Sequence, residues 1–548
     1  MTRTLIIDIE TNLKHDTIWC CVTKDITTGE VKVWTEAESL RSYLRVDDLL
    51  VGHNIIGFDA PILNQLWNTK ILSSQVRDTL VMSRLLNPQR EGGHSLDEWG
   101  KTLGNHKGNF TNFNEGLCQE MIDYCIRDVE VTHDLYHHLT YWLKEWDQRC
   151  VELEHQVAVI VSRQERKGFK LDVTKAISLV ATWKEMLSTI EEELQSIFPP
   201  IVTERFSEKT GKQLKDVVEV FNPGSRQQIA KRLISLGWKP TKFTEKGQVI
   251  IDEKVLDGID LPEAKRIAEY LLIQKRVAQV ESWLDAVSQD GRVHGKVITN
   301  GAVTGRMTHH SPNMAQVPSS SSPYGEECRQ CWTVDDGYKL VGIDASGLEL
   351  RMLAHYMRDK DYVREVCEGD IHTKNQNAAG LQTRPQAKTF IYAFLYGAGP
   401  SKIGAIVDGG AQEGQRLIDS FLDNTPALKA LRTKVDGLAA KGYLLGLDGR
   451  QLFVRSAHAA LNTLLQGAGA IVMKQSLVLL NKKLKKHKVE AHFVANVHDE
   501  WQIEVRADQA ELVGQLGVQA IQEAGEVLKM RCPLTGEYRV GNNWKETH

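Results

Sequence analysis

Short apolar runs and amphipathic helical stretches alternate along the first part of the chain. Up to about residue 140, β-branched runs such as Leu5 to Ile9 and Leu49 to Val51 are separated by helical periodicity, which is typical of an α/β unit. Val157 to Arg166 and Ala176 to Ile197 carry apolar residues at three- and four-residue intervals, so positions 145 to 290 are mostly helical. The Pro- and Gly-punctuated stretch from Pro199 to Ile250 predicts loops. Because strands, helices and turns mix after about residue 290, the pattern predicts an α/β domain, a helical arm and an α+β domain.

The composition is that of a multidomain globular protein. The chain has 548 residues and a mass of 61.7 kDa, which corresponds to roughly three to four cores at the usual ~150 residues per domain. Sixty-seven basic and 71 acidic side chains give a net charge of -4. Any contact with nucleic acid must therefore depend on a local basic patch.

The cysteines and the N-terminus indicate the compartment. Nine cysteines at uneven spacings predict reduced thiols in the cytosol rather than a disulfide framework. Cys328 and Cys331 form one Cys-x-x-Cys, but no second pair stands at a zinc-binding spacing, so structural thiols are expected. Neither a signal-peptide layout nor a bilayer-spanning apolar stretch is present, which predicts a soluble intracellular protein without a membrane partner.

Asp8 and Glu10 stand two positions apart in the apolar run from Leu5 to Glu10. On a strand, residues two apart share one face, so both carboxylates would project together. Buried paired anions require a cation, whereas two solvated acids on a strand edge are the alternative reading of this pair taken alone.

Asp59 and the pair Tyr124 and Asp128 complete a candidate metal site. Tyr124 and Asp128 stand four apart on a predicted helix and share its face. Mg²⁺ prefers oxygen ligands, and two such ions about 4 Å apart can hold the attacking and leaving oxygens of a phosphodiester. Asp8, Glu10, Asp59 and Asp128 would hold the metals and Tyr124 would orient the water. The order Asp-x-Glu, Asn-x-x-x-Phe-Asp, Tyr-x-x-x-Asp resembles the DEDD family of 3′-5′ exonucleases, in its tyrosine-bearing subtype.

A second pair of aspartates lies in the last part of the chain. The segment from Lys339 to Arg351 predicts a strand ending near Asp344 and a helix starting near Leu348. The segment from Phe493 to Val505 predicts a hairpin with His498, Asp499 and Glu500 at its tip. Asp344 and Asp499 could meet on adjacent strands as metal ligands, although each alone could be a turn-stabilising aspartate.

Between these aspartates, Thr383 to Gly397 predicts one helix of about three turns with a Thr383 cap. Four residues spaced by four share a slowly drifting face: Arg384, Lys388, Tyr392 and Tyr396. Two cations suit a triphosphate and two rings suit a sugar and base. An amphipathic helix with solvated cations and core tyrosines is the alternative.

The combined motifs resemble family A DNA polymerases. Asp344 to Arg351 resembles motif A, Arg384 to Gly397 motif B, and Val497 to Glu500 motif C, while Thr304-Gly305-Arg306 is similar to the segment preceding motif A. The similarity is greatest to replicative polymerases of short-tailed bacteriophages and covers nearly the whole chain. It implies an RNase H-like exonuclease domain followed by a right-hand polymerase with palm, fingers and thumb.

The resemblance also implies domain boundaries. It places the exonuclease at 1–145, the thumb with its connecting helices at 146–290, the first part of the palm at 291–355, the fingers at 356–460 and the second part of the palm at 461–548.

Site roles follow from the same resemblance. The palm would hold two Mg²⁺ on Asp344, Asp499 and the Ala345 carbonyl, with Glu500 in the catalytic set; two more Mg²⁺ would occupy the exonuclease site, and Mn²⁺ could substitute. Glu349 would face Tyr392 and exclude a 2′-hydroxyl. The remaining expected contacts are Arg384, Lys388 and His372 to the phosphates, Tyr392 to the sugar, Tyr396 beside the templating position, and Arg306, Asn462, Gln466 and His498 to the DNA minor groove.

The implied partners are primer-template DNA and dNTPs, with a replicative helicase-primase as a candidate, in the cytoplasm of an infected bacterium. The bridge from Ile197 to Phe221 is too short for the insertion of thioredoxin-recruiting phage enzymes, so thioredoxin is not expected, and the protein is taken as a monomer. Six basic residues of the thumb are expected at the DNA backbone: Arg226, Lys231, Arg232, Lys239, Lys242 and Lys246. A stand-alone nuclease, a non-catalytic scaffold and a single-subunit RNA polymerase are the rival functions.

Overall fold

The computed structural model of the chain describes residues 3–548. Its first part contains β1 (Thr4–Thr11), β2 (Ile18–Asp25), β3 (Val31–Trp34), α1 (Ala37–Tyr43), β4 (Leu49–Gly52), α2 (Asp59–Leu66), β5 (Val76–Asp78), α3 (Thr79–Leu86), α4 (Leu96–Leu103) and α5 (Gln119–Leu143). The five strands form one sheet in the order β3-β2-β1-β4-β5. β1 is antiparallel to β2 and parallel to β4, which confirms the predicted α/β unit.

The central strand β1 is buried on both faces. The odd-numbered residues of Leu5 to Ile9 pack into one core, whereas Ile6 packs on the opposite side with Cys125 of α5. Because side chains alternate along a strand, Asp8 and Glu10 continue the Ile6 face and point towards α5.

The next part is the helical arm. It contains α6 (Gln148–Lys167), β6 (Phe169–Leu171), α7 (Val173–Ile197), β7 (Ile201–Phe206), β8 (Gln213–Glu219), α8 (Arg226–Ser235), α9 (Glu253–Asp257) and α10 (Pro262–Ala286). The long helices α7 and α10 share one core with α8, which contains Trp183, Ile229 and Trp283.

The prediction of loops between Pro199 and Ile250 is wrong for two segments. β7 and β8 form an exposed antiparallel hairpin, turned at Gly211 with a φ of 62°. Helix α8 begins at a Ser225 cap that accepts from Gln228 N–H. The β-branched residues of the hairpin and this cap outweigh the neighbouring prolines and glycines, which punctuate the segment without preventing regular structure.

The expected DNA-backbone role is also wrong for Arg232. Its side chain is buried and donates from Nη2 to the Pro199 carbonyl at 2.8 Å. Arg226 donates to the Ile251 carbonyl, and Lys231 pairs with Glu219 at 3.2 Å. A buried guanidinium that ties α8 to the loop between α7 and β7 is not available to a phosphate.

After the arm come β9 (Arg292–Val293), β10 (Lys296–Ile298), β11 (Thr308–His310), α11 (Gly325–Gln330), β12 (Trp332–Thr333), β13 (Tyr338–Ala345) and α12 (Leu348–Met357). A helical part follows with α13 (Lys360–Glu368), α14 (Ile371–Ala379), α15 (Arg384–Leu395), α16 (Pro400–Gly404), α17 (Ala411–Asp423), α18 (Pro426–Ala439), β14 (Tyr443–Leu445) and β15 (Gln451–Phe453). Helix α15 starts as predicted, because Thr383 and Gln386 form a capping box around its first turn.

The last part contains α19 (Ala460–Lys486), β16 (Ala491–Val497), β17 (Glu500–Arg506), α20 (Ala510–Val527) and β18 (Gly536–Gly541). β13 lies inside a four-stranded sheet of order β16-β17-β13-β18. Helix α6 packs on this sheet, because Leu153, Val157 and Ile160 share a core with Val341 and Phe493. The sheet and α6 therefore form one packed unit.

Although no bilayer-spanning stretch is expected from the sequence, the helical segment Ala457–Lys486 is long and apolar enough to cross a membrane by length and composition alone. It contains α19, and 83% of its most apolar window is buried inside the protein. Its apolar surface is accordingly used in the core, as in the central helices of other globular folds.

A buried ion cluster joins α6, the turn before β15 and α19. Arg450 pairs through Nη1 with Glu154 at 2.5 Å and through Nη2 with Asp448 at 2.6 Å, and Lys474 Nζ lies 2.6 Å from the same Glu154 oxygen. All four side chains are buried. Burial lowers the pKa of Lys474 to about 8. Two cations and two anions thus balance each other away from water.

Removing one charge from this cluster should destabilise the fold. Glu154→Gln leaves Arg450 and Lys474 buried with a single anion, and breaking a buried ion pair costs about 3–5 kcal/mol. We expect a lower denaturant midpoint of unfolding by circular dichroism. Glu413→Gln, in an exposed pair with Arg416, is the control and should leave the midpoint nearly unchanged, because exposed ion pairs contribute little to stability. Equal midpoints for the two variants would contradict the prediction.

Candidate active sites

Asp344 and Asp499 lie side by side at one end of the four-stranded sheet. The register of β13 and β17 pairs Asp344 with Glu500, the residue after Asp499. The N–H of Ala345 donates to the carbonyl of Asp499 at 3.0 Å, which fastens the β16–β17 turn to the end of β13. The expected meeting of the two aspartates is therefore confirmed.

The carboxylates at this sheet end repel one another. Burial and the charges of Asp499 and Glu500 raise the pKa of Asp344 to about 8. Burial and Glu349 raise the pKa of Asp499 to about 6, although Arg306 acts in the opposite direction. A divalent cation between the carboxylates would relieve this repulsion. Because the donors are oxygens, the residues present fit Mg²⁺.

Glu500 is engaged with the end of the chain. Its Oε1 accepts from Gln502 Nε2 at 2.5 Å and from Trp544 Nε1 at 2.6 Å, and its Oε2 lies 2.9 Å from His548 Nδ1. Burial favours the neutral carboxyl, but the His548 contacts leave the pKa of Glu500 lowered overall. With both oxygens engaged, Glu500 anchors the C-terminal residues against the palm sheet.

The predicted face of α15 presents its two cations to solvent. Arg384 Nε pairs with Asp370 Oδ2 at 2.8 Å, and Lys388 is exposed. Asp370 also caps α14, so it holds His372 close to the same face. The His372 ring lies 6.3 Å from the Tyr392 ring. The residues expected at the phosphates and the sugar are thus neighbours.

Glu349 has a different partner from the expected one. The hydroxyl of Tyr396 donates to Glu349 Oε1 at 3.0 Å, and Arg306 Nη2 lies 3.4 Å from the same oxygen. Burial and then the charge of the neighbouring Glu349 raise the pKa of Tyr392. Tyr396 is the C-terminal cap of the helix, and its N–H still donates to the Tyr392 carbonyl at 2.9 Å, so it continues the predicted face and reaches Glu349 from there.

The four expected minor-groove residues fall into two pairs. Arg306 and His498 line one small cavity together with Lys474, and His498 has a left-handed φ of 54° at the hairpin tip. Asn462 and Gln466 lie one turn apart on α19, where Gln466 Nε2 donates to Asn462 Oδ1 at 2.7 Å.

The first sheet brings the second group of carboxylates together. Asp8 and Glu10 lie on β1, Asp59 begins α2, and Asp128 lies on α5. Asp59 Oδ1 accepts from Ile9 N–H at 3.2 Å, which fixes α2 against β1. The structure therefore assembles all four acids that the motifs predict.

Burial and mutual repulsion dominate the electrostatics of this group. Burial and Asp128 raise the pKa of Asp8 to about 7, and burial and Asp8 raise that of Glu10 to about 10. Burial also raises the pKa of Asp59 well above its usual range. Such a set fits divalent cations with oxygen ligands.

Lys107 is a site residue that the motifs did not reveal. Its Nζ lies 2.7 Å from Asp128 Oδ2 and 5.0 Å from the Tyr124 ring centre. It belongs to the segment between α4 and α5, which has no helical or strand periodicity from which its position could be predicted. The only sequence signal is a lysine a short distance before the Tyr-x-x-x-Asp motif.

Comparison with known proteins relates the whole chain to polymerases. Residues 200–546 match DNA polymerase family A. The chain is 36% identical to the DNA-directed DNA polymerase of Enterobacteria phage T3 and 35% identical to that of Escherichia phage T7, in both cases over 99% of this chain and 100% of the relative.

A solved structure has the same fold. The POL domain of Pol1 from M. smegmatis, in complex with DNA primer-template and dNTP, superposes with a TM-score of 0.82 at 18% identity, over 100% of this chain and 96% of that chain. Since the fold, the adjacent motif A and motif C aspartates and the full-length identity agree, the chain belongs to DNA polymerase family A and is a DNA-directed DNA polymerase related to those of phages T3 and T7.

Proposed function

We propose that the protein is a phage replicative polymerase that extends primer 3′-ends with dNTPs and proofreads with its own 3′-5′ exonuclease. The register of β13 and β17, which sets Asp344 beside Asp499, is the observation that carries the first activity. The second activity is supported by the separate carboxylate set of Asp8, Glu10 and Asp128. We propose that it acts in the cytoplasm of an infected bacterium.

In the palm, Asp344, Asp499 and the Ala345 carbonyl would hold two Mg²⁺, with Mn²⁺ as a substitute. When bound, these ions supply activation of the primer 3′-hydroxyl and neutralisation of the leaving pyrophosphate. Arg384 would exchange its pair with Asp370 for a triphosphate oxygen, which costs little because the pair is exposed. Lys388 would add a second cation.

Sugar and base selection would depend on the cluster around Glu349. Tyr396 and Arg306 hold its carboxylate in place, and Tyr392 lies beside it. A carboxylate fixed there would leave no room for a 2′-hydroxyl. Arg306, His498, Asn462 and Gln466 would test the geometry of the newest base pairs, since minor-groove acceptors are nearly equivalent in all correct pairs.

In the exonuclease site, Asp8, Glu10, Asp59 and Asp128 would hold two Mg²⁺, which supply a hydroxide nucleophile when bound. Tyr124 would orient the attacking water. Lys107 would leave Asp128 when metal arrives and place its charge near the scissile phosphate.

Primer extension with paired variants tests both activities. Asp499→Ala should abolish nucleotide addition and keep primer degradation, because it removes a palm metal ligand only. Asp8→Ala should abolish degradation and keep addition. Gel electrophoresis of labelled primers with dNTPs, with ribonucleotides or without nucleotides measures both. Nucleotide addition by Asp499→Ala, or ribonucleotide use equal to dNTP use, would overturn the proposal.

Lys107→Met tests the residue beside Asp128. Loss of one cation that stabilises developing charge costs on the order of 10²-fold in rate, so we expect slower primer degradation with unchanged extension. Lys101→Met is the control, because Lys101 forms exposed pairs with Asp97 and Glu98 away from the carboxylates. Equal degradation rates for both variants would assign Lys107 no part in the reaction.

We propose that thioredoxin is not a partner, whereas a helicase-primase remains a candidate. The alignment with the T7 enzyme runs over 710 positions against 548 residues here, so that relative carries segments that this chain lacks. In the arm, the corresponding bridge is the short β7–β8 hairpin.

Thioredoxin should therefore leave the product lengths unchanged when each polymerase molecule binds a long primed template only once. A thioredoxin-recruiting phage polymerase is the positive control. Longer products from this protein on adding thioredoxin would show that the hairpin suffices for recruitment.

A further inference from the structure

A buried thiol lies among the carboxylates of the proposed exonuclease site. Cys125 follows Tyr124 on α5, and its Sγ donates to Asp8 Oδ2 at 3.5 Å. One ligating atom each of Asp8, Glu10 and Cys125 lies within 4.8 Å of the other two. Within residues 3–548, this is the one group of three such side chains that meets so closely.

The spacing suits a tetrahedral ion with mixed ligands. With a Zn–S bond of about 2.3 Å, a Zn–O bond of about 2.0–2.2 Å and a tetrahedral angle, the sulfur and oxygen ligands stand about 3.5 Å apart. The Cys125 and Asp8 atoms are separated by that distance in the structure. Mg²⁺ coordinates sulfur ligands poorly, whereas thiolate ligands favour Zn²⁺ and related ions.

Two further groups could complete the shell. Asp128 lies on the same helix, and its Oδ1 is buried without a hydrogen-bond partner among the described residues. Cys20, on β2, lies opposite Glu10 in the register of β1 and β2. An unpaired buried oxygen and a second thiol thus lie next to the three ligands.

We propose that Asp8, Glu10 and Cys125 form a site for a thiophilic divalent ion of the Zn²⁺ class, which competes with Mg²⁺ and switches off primer degradation. The inference rests on the proposed exonuclease function. Coordination replaces the S–H proton, which passes to solvent, so no bond other than S–H is broken and no oxidant is needed. The palm aspartates have no thiol within such a group, so nucleotide addition should tolerate the ion better.

Cd²⁺ titration of the full-length protein tests binding without any activity. Thiolate-to-Cd²⁺ charge transfer absorbs in the ultraviolet, and we expect the wild type to show about one equivalent more of this absorbance than Cys125→Ser. Cys118→Ser is the control, because Cys118 precedes the same helix outside the group. Asp8→Asn should weaken binding. Identical titrations of wild type and Cys125→Ser would overturn the proposal.

Inhibition by Zn²⁺ tests whether an ion bound at this site switches off primer degradation. At fixed Mg²⁺, the Zn²⁺ concentration that halves primer degradation should rise at least about tenfold in Cys125→Ser and in Cys125→Ala, each compared with its own uninhibited rate. Nucleotide addition by each variant reports its folding. An unchanged half-inhibiting concentration would overturn the proposal. If Asp8→Ala instead retained degradation, the exonuclease assignment would fail while the Cd²⁺ result would still decide the metal site.

Discussion

The structure depends on carboxylates that are held in apolar surroundings next to one another. At the palm, strand register forces Asp344 and Asp499 together, and at the first sheet the same alternation sets Asp8 beside Glu10. Repulsion of this kind opposes folding unless a cation or a proton relieves it. The buried apolar residues in the rest of each sheet offset that cost. Under the proposed function, a divalent ion bound at each site would relieve the repulsion.

The two sites offset their charge in different ways. In the carboxylate group of the first sheet, Lys107 Nζ lies 2.7 Å from Asp128 Oδ2. In the palm, Arg306 lies on Glu349 rather than on either aspartate, so the aspartates have no direct cation partner among the described residues. The two palm aspartates thus have no ion-pair partner among the described residues, whereas Lys107 directly offsets the charge of Asp128.

Much of the site could be predicted because its chemistry follows local periodicity. The shared face of Asp8 and Glu10, the Thr383 capping box and the hairpin at Asp499 each follow from spacing within a few residues. The partner of Tyr396 could not be predicted, since its hydroxyl donates to Glu349 on α12, and residue spacing within α15 does not reveal contacts with another element. The β7–β8 hairpin was not predicted, because the neighbouring prolines and glycines indicated loops more strongly than its β-branched residues indicated strands.

Contacts between elements that are far apart in the sequence could not be predicted from residue spacing. Cys125 and Asp8 meet only because α5 packs on the β1 face that carries Ile6, and no periodicity of either segment encodes that separation. Under the proposal, a pocket with both oxygen and sulfur donors could bind either Mg²⁺ or a thiophilic ion such as Zn²⁺. The palm, fixed by backbone pairing of strands that carry no thiol, keeps an oxygen-only set. Under these proposals, metal selectivity would differ between two sites of one chain, although partly buried aspartates contribute to both.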